Sequence, residues 1–396
     1  MYRKTYVEVD VNAMKSNVKN IISKYSGYKW YIGVVKGNAY GHGMEVVKYI
    51  VEAGINFLAV SSLEEALEVR IYDKSTPILC LEPIDIEYLQ VAIDNGVSVT
   101  LHSYEYFEKL QGAEFNGKLK IHIKLDTGMN RLGLKYTGEV TDVYNTLLAN
   151  ENIELEGIYT HFGTLGVYDN EWNNQLMRFR TLTREVDLNK IKMVHLARGQ
   201  NIVNHQKIPE ANGVRLGISM YGYVNKFSDN SNSLKAKLKK WLLNGKRQNK
   251  NIASCIYNDV PDVKPAFSLK SEIIQIKKVE KGEIVGYGES FRAEKDMLVA
   301  TVPVGYADGI SVKNTGRYVD IKGKLYNIVG TVNMCMLSVA VDDTVKLGDT
   351  VTLIGGKADA KYVADYLGVN RYIVVTTVAK EIPRIYVEKS EVKTSE

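Results

Sequence analysis

The residues best suited to chemistry lie in the stretch V-V-K-G-N-A-Y-G-H-G that begins at Val34. Two β-branched residues lead into Lys36, as they would at the buried end of a strand. Small and turn-forming residues follow, with Tyr40 among them, and a helical pattern begins near Met44. A lone lysine is most often a solvated surface charge. A lysine amine that sheds hydration at the mouth of a buried strand suits Schiff-base or proton-transfer chemistry instead. The glycine-rich context and the nearby tyrosine favour the second role.

The elements that must position this amine recur along the chain. Residues 5–9 alternate and read as a strand, after which Asp10 caps an amphipathic helix running to about residue 25. Apolar, strand-like runs follow at 31–35, 57–60, 77–81, 97–100, 119–125, 155–161, 192–196 and 214–219. Helical patterns lie between most of them, for example at 45–53, 63–72, 139–149 and 171–186. Eight strands buried on both faces and alternating with helices predict an α/β fold, an eight-stranded parallel (β/α) barrel. A doubly wound open sheet is the competing reading. It calls for a Gly-rich fingerprint after a strand, and Gly41-His42-Gly43 is not G-x-G-x-x-G.

The placement of charged residues supports the barrel. Lys36 follows the first barrel strand, Arg131 follows the fifth, His161 closes the sixth, Arg198-Gly199 follow the seventh and Arg215 lies on the eighth. Barrel enzymes carry their sites at the carboxyl ends of the strands, and phosphate groups often bind beside the last two.

Beyond Tyr223 the texture changes. Residues 225–264 form an insertion rich in Asn, Ser and Lys, with a basic amphipathic pattern at 234–243. A solvated helix is the expected reading there, and a membrane-surface or partner helix is the lesser one. Residues 265–396 show short strands between turns, which predicts a mainly β C-terminal domain, a small barrel or sandwich with one short helix at 359–367. Residues 11–224 are left as the barrel domain.

A net charge of +5 over 396 residues gives no pull toward nucleic acid. Cys80, Cys255 and Cys335 lack metal-ligand spacing, so neither a zinc site nor a disulfide framework is indicated. The first residues carry no apolar leader and no later run is long enough to span a bilayer, so the expected location is a reducing cytoplasm.

Seven ordered motifs carry a resemblance. They are V-V-K-G-N-A-Y-G-H-G at Val34, K-L-D-T-G-M-N-R-L-G at Lys124, G-I-Y-T-H-F at Gly157, V-R-L-G-I-S-M-Y-G at Val214, G-Y-G-E-S-F at Gly286, P-V-G-Y-A-D-G at Pro303 and I-P-R-I at Ile382. Together they resemble the alanine racemase family, which joins a barrel binding pyridoxal phosphate to a C-terminal β-domain. The resemblance implies that residues 1–10 supply a strand to the C-terminal domain. It also implies a homodimer that shares its active sites between subunits and makes D-amino acid for cell-wall synthesis.

The resemblance assigns roles residue by residue. Lys36 would hold the cofactor through its amine and act as one proton-transfer base, and Tyr287 of the other subunit would serve the opposite face. Arg215 would face the pyridine nitrogen. An arginine there withholds a proton from that nitrogen and leaves the ring a weaker electron sink. Tyr40 and the backbone at Gly217-Ile218 would hold the phosphate, and His161 would pack against the ring. Arg131 and the Met334 backbone N–H would meet the substrate carboxylate, and Tyr306 would line the entrance. Lys124 matches a lysine that is carbamylated in some members.

Five positions depart from the family pattern. Arg198-Gly199 replace a common Asn-Ser whose serine binds phosphate, Asn333 replaces a cysteine, Cys335 replaces an aspartate and Lys380 stands for a tyrosine that touches phosphate. Arg198, Gly199 and Lys380 are therefore expected to form an altered phosphate pocket. Arg198, Cys335 and Lys380 could instead reshape the pocket for serine or another polar or acidic amino acid. Two rival functions share parts of the architecture: a pyridoxal-phosphate decarboxylase, which would set an acid where Arg215 stands, and a non-enzymatic cofactor-binding regulator, which would lack the domain carrying Tyr287.

Overall fold

The computed structural model describes residues 2–165, 170–224 and 259–389. Cys255 and the basic pattern at 234–243 fall outside the described residues. No described helix is long and apolar enough to cross a membrane. The chain divides into two compact units, one of Met1–Met14, Gly37–Val46 and Pro265–Glu396, the other of Lys15–Lys36 and Val47–Lys264.

Strand β1 (Tyr6–Asp10) belongs to the first unit. The second unit contains β2 (Trp30–Val34), β3 (Phe57–Val60), β4 (Ile78–Cys80), β5 (Val97–Leu101), β6 (Leu119–Lys124), β7 (Ile153–Tyr159), β8 (Met193–Arg198) and β9 (Gly213–Leu216). They close into a barrel in that order, with parallel pairing throughout and β9 returning to β2. Closure excludes the doubly wound alternative. Residues of β3 and β5 are buried without exception, because side chains on one face fill the barrel and those on the other meet the helices. Burying each such Val, Leu, Ile or Phe is worth about 1.5–3 kcal/mol.

The first unit is built on one nine-stranded sheet in place of the expected small barrel or sandwich. To β1 it adds β10 (Phe267–Glu272), β11 (Gln275–Val279), β12 (Met297–Val302), β13 (Tyr318–Ile321), β14 (Lys324–Val329), β15 (Leu337–Val341), β16 (Thr350–Ile354) and β17 (Arg384–Val387). The order is β11-β12-β15-β14-β13-β16-β10-β1-β17. Burial alternates along β1 and β10, as in a sheet covered on one face. The helix Val11–Lys24 starts where expected, with Asp10 Oδ1 accepting from Ala13 N–H at 3.0 Å. The short helix Ala360–Leu367 is capped by Asp359. A second short helix, Arg371–Thr376, was not expected from its β-branched residues Val374, Val375 and Thr376. Val374 and Val375 are buried, so packing overrides propensity there.

Two strand ends also differ from expectation. Arg198 is the last residue of β8 instead of following it, and β7 stops at Tyr159, so His161 stands in the loop beyond rather than closing the strand. The cause of the second lies in the barrel: the Thr160 carbonyl turns to accept from Arg215 Nη2 at 2.7 Å.

Candidate active site

The stretch after β2 is a left-handed turn. Lys36–Tyr40 is helical in spacing, but Gly37, Asn38, Ala39 and Tyr40 have φ of 64°, 53°, 51° and 52°. For the three non-glycine residues this costs roughly 1–2 kcal/mol each. Such backbone persists only where its surroundings over-determine it. Within the sheet unit, Arg384 Nε and Nη2 donate to the Gly41 carbonyl at 3.0 and 2.9 Å, and His42 Nδ1 lies 3.1 and 3.0 Å from the Ala39 and Tyr40 carbonyls. Lys36 itself is half-buried at the end of the barrel unit.

In the barrel unit, the carboxyl ends of the strands gather cations. Burial first, and then Arg215, Arg198, Lys124 and Arg131, hold the His161 imidazole far below its ordinary value. Burial, followed by Arg215 and, more weakly, Arg131, lowers Lys124 to about 7 against the opposing pull of Asp126. Lys124 Nζ donates to the Leu125 carbonyl at 2.8 Å and lies 5.1 Å from the Tyr159 ring centroid. Expected residues Arg131, His161, Arg198, Arg215 and Lys124 therefore share one electrostatic neighbourhood, one that favours anions.

Arg215 is fixed with unusual completeness. Its Nη1 donates to His195 Nδ1 at 2.8 Å and to the His195 carbonyl at 2.7 Å. Its Nη2 donates to the Thr160 carbonyl at 2.7 Å and the Leu196 carbonyl at 3.1 Å. Of the five N–H donors of a guanidinium, four are thus spent in the barrel. Among the described residues nothing accepts from Nε. The arrangement leaves that N–H for an acceptor.

Sequence reasoning missed what lies beneath Arg215. His195 Nε2 is 3.0 Å from His122 Nδ1, and His122 Nε2 is 3.1 Å from Glu156 Oε2. Ser98 Oγ donates to Glu156 Oε2 at 2.5 Å, and Lys192 Nζ donates to Oε1 at 2.8 Å. Because an arginine only donates, His195 Nδ1 must accept, so His195 Nε2 carries the proton, His122 Nδ1 accepts and His122 Nε2 donates to the carboxylate. Burial pushes the Glu156 carboxyl up, but hydrogen bonds from His122, Lys192 and Ser98 outweigh it and hold the group well below the usual range. The buried guanidinium is thereby tied through two imidazoles to a buried carboxylate. Gly157 makes room for the chain, since a Cβ there would lie 2.2 Å from His122 Nδ1. The available signal was an ionisable residue inside each of three apolar strands, β6, β7 and β8.

The loops after β8 and β9 hold Gly199, Gly217 and Ile218. Gly199 opens the helix Gly199–Asn204, and Gly217 precedes the turn Ile218–Tyr221.

The remaining expected residues lie in the sheet unit, as Tyr40 does. Tyr287 sits in a short turn and is 74% exposed. Its carbonyl accepts from Thr331 Oγ1 at 3.3 Å. Tyr306 N–H donates to the Asn333 carbonyl at 3.0 Å, and Ala307 N–H to the Met334 carbonyl at 3.0 Å. Tyr287, Tyr306 and Met334 are therefore carried by three loops linked through residues 331–334. Cys335 is exposed, as is Lys380, whose carbonyl accepts from Arg384 Nη1 at 3.0 Å.

Comparison with known proteins bears on these geometries. Residues 9–225 match the family model for the alanine racemase N-terminal domain, and residues 266–386 match that for the C-terminal domain. The chain is 34% identical over 397 residues to alanine racemase 1 of Bacillus subtilis (strain 168), covering 99% of this chain and 95% of the relative. The crystal structure of alanine racemase from Bacillus anthracis with bound L-Ala-P is similar with a TM-score of 0.81 and 33% identity, covering 98% of this chain and 96% of that one. A histidine racemase from Leuconostoc mesenteroides subsp. sake, at 24% identity and a TM-score of 0.81 over 98% of this chain and 99% of its own, shares the fold.

Proposed function

The chain belongs to the alanine racemase family and is an amino-acid racemase, and from that premise we propose that it interconverts L- and D-alanine with pyridoxal phosphate held at the barrel mouth. Arg215 carries this reading: with four donors fixed, its Nε–H is left for a ring nitrogen that accepts. The surrounding cations suit a phosphate and a substrate carboxylate. Bound there, pyridoxal phosphate would draw electrons from the substrate α-carbon and so acidify its C–H bond.

The chain's own groups would do the rest. Lys36 would anchor the cofactor and move a proton at Nζ on one face of the α-carbon. Tyr287, from a second copy of the chain, would move a proton at its hydroxyl on the other. The large exposure of Tyr287 supports the homodimer, because a proton-transfer group works best screened from water and this one is not screened within its own chain. Arg131 and the Met334 N–H would orient the substrate carboxylate, and Tyr306 would shape the entrance. Tyr40, the Gly217-Ile218 backbone, Arg198, Gly199 and Lys380 would hold the phosphate, with His161 against the ring. Held firmly in the barrel, Arg215 would keep the pyridine nitrogen unprotonated and leave the two bases to decide the outcome. The product would serve as D-alanine for cell-wall synthesis.

The test is racemisation of alanine, serine, glutamate and lysine by purified protein with added pyridoxal phosphate. Alanine is expected to turn over fastest. A preference for serine or an acidic side chain would replace the alanine reading with the second one, in which Arg198, Cys335 and Lys380 set the pocket. Loss of carbon dioxide without racemisation would remove both.

Lys124 carries a smaller proposal. An amine lowered to about 7 is substantially neutral at neutral pH. Its lone pair can add to carbon dioxide, forming an N–C bond with release of a proton and placing an anion among cations. With 13C-bicarbonate, a carbamate resonance should grow as pH rises through 7 and be absent from Lys124→Ala. Its absence from the parent protein above pH 7 would remove the modification.

A further inference from the structure

Position 199 carries no side chain, and the space where its Cβ would stand is taken. A Cβ built on Gly199 would lie 2.7 Å from Ser219 Oγ and 3.5 Å from Ser219 Cβ. Ser219 belongs to the turn Ile218–Tyr221 after β9, and Gly199 opens the helix after β8, so neighbouring barrel strands deliver both. Ser219 is 5% exposed, and its hydroxyl is a buried polar atom without a hydrogen-bond partner among the described residues. Native structures rarely leave a buried hydroxyl unsatisfied, and an unsatisfied one calls for a partner such as a water, an ion or a ligand atom. The last two strand ends of a barrel are a frequent phosphate site.

We infer that Ser219 supplies the side-chain hydroxyl that holds the cofactor phosphate in this chain. The inference rests on the pyridoxal-phosphate reading above. A Cβ at position 199 would stand 2.7 Å from Ser219 Oγ and force that hydroxyl out of its present position, so a side chain at 199 competes with the Ser219 hydroxyl for this space. Here Gly199 clears the space and Ser219 fills it, so the phosphate contact has moved from one strand end to the next. Ser219 is thus a binding residue, with no part in proton transfer.

The experiment measures binding of pyridoxal phosphate, pyridoxal and inorganic phosphate to cofactor-free protein by calorimetry. Ser219→Ala should weaken pyridoxal phosphate by about tenfold to a hundredfold, the loss typical of a hydrogen bond to a charged group. It should weaken inorganic phosphate as well and leave pyridoxal unchanged. Gly199→Ser alone should bind less well, because its new Cβ meets Ser219 Oγ. The double variant Gly199→Ser/Ser219→Ala should regain the parent affinity. Equal affinity of Ser219→Ala and parent for pyridoxal phosphate would overturn the inference, as would equal losses for pyridoxal and its phosphate, since those would report altered packing. Failure of the parent protein to bind pyridoxal phosphate would remove the cofactor reading and this inference with it.

Discussion

Lys36→Ala is expected to lose racemisation by at least about 10⁴-fold, because one substitution removes two functions. A positioned proton-transfer group is worth roughly 10²–10⁴-fold in rate. The same side chain is proposed as the covalent anchor of the cofactor, and loss of a nucleophile that forms a bond to the reacting group adds to the deficit. The fold should survive, since Lys36 is half-buried at the tip of the barrel unit. The local backbone is fixed by Val35, whose N–H donates to the Ala59 carbonyl at 2.9 Å, and not by the lysine side chain. The measurement is turnover together with the absorbance of the cofactor–lysine linkage. An absent band with lost turnover is the expected pair. A band that persisted would place the anchor on another lysine, and undiminished turnover would end the proposed mechanism.

How much of this was legible beforehand depended on how local the cause was. The eight barrel strands could be read because burial on both faces writes itself as short apolar runs, and β3 and β5 show that burial without interruption. Asp10 could be read as a cap because a cap is an interaction over three residues. The helix Arg371–Thr376 could not, because burial of Val374 and Val375 decided it against their β-branched propensity. Nor could the left-handed turn at Asn38, Ala39 and Tyr40, whose support includes Arg384, over 340 residues away in sequence. Motifs gave the candidate side chains singly. They did not give the chain of hydrogen bonds from Arg215 through His195 and His122 to Glu156, because its members sit on four strands and touch only when the barrel closes. Ser219 escaped for the same reason. The meaning of Gly199 lies in a neighbour 20 residues later.

Tyr287→Phe should separate the two faces of the reaction. Enantiomers have equal free energy in water, so kcat/KM must fall by the same factor in both directions, expected at about 10²–10⁴ for loss of one proton-transfer group. The asymmetry has to appear elsewhere. With Lys36 intact, the enantiomer whose α-hydrogen faces the amine should still exchange that hydrogen in heavy water, while the other should not. Exchange lost equally for both would mean that Tyr287 only shapes the site.

The same variant tests whether two chains share a site. Mixed with Lys36→Ala protein, a heterodimer would hold one site with neither group and one with both. Random reassortment of two inactive proteins should then restore about a quarter of the parent activity, since half of the dimers carry one working site of two. If Tyr287 acted within its own chain, every site in every dimer would lack one group and mixing would restore nothing. The outcome turns only on which chain lends the phenol, so it would stand or fall independently of the amino acid being racemised.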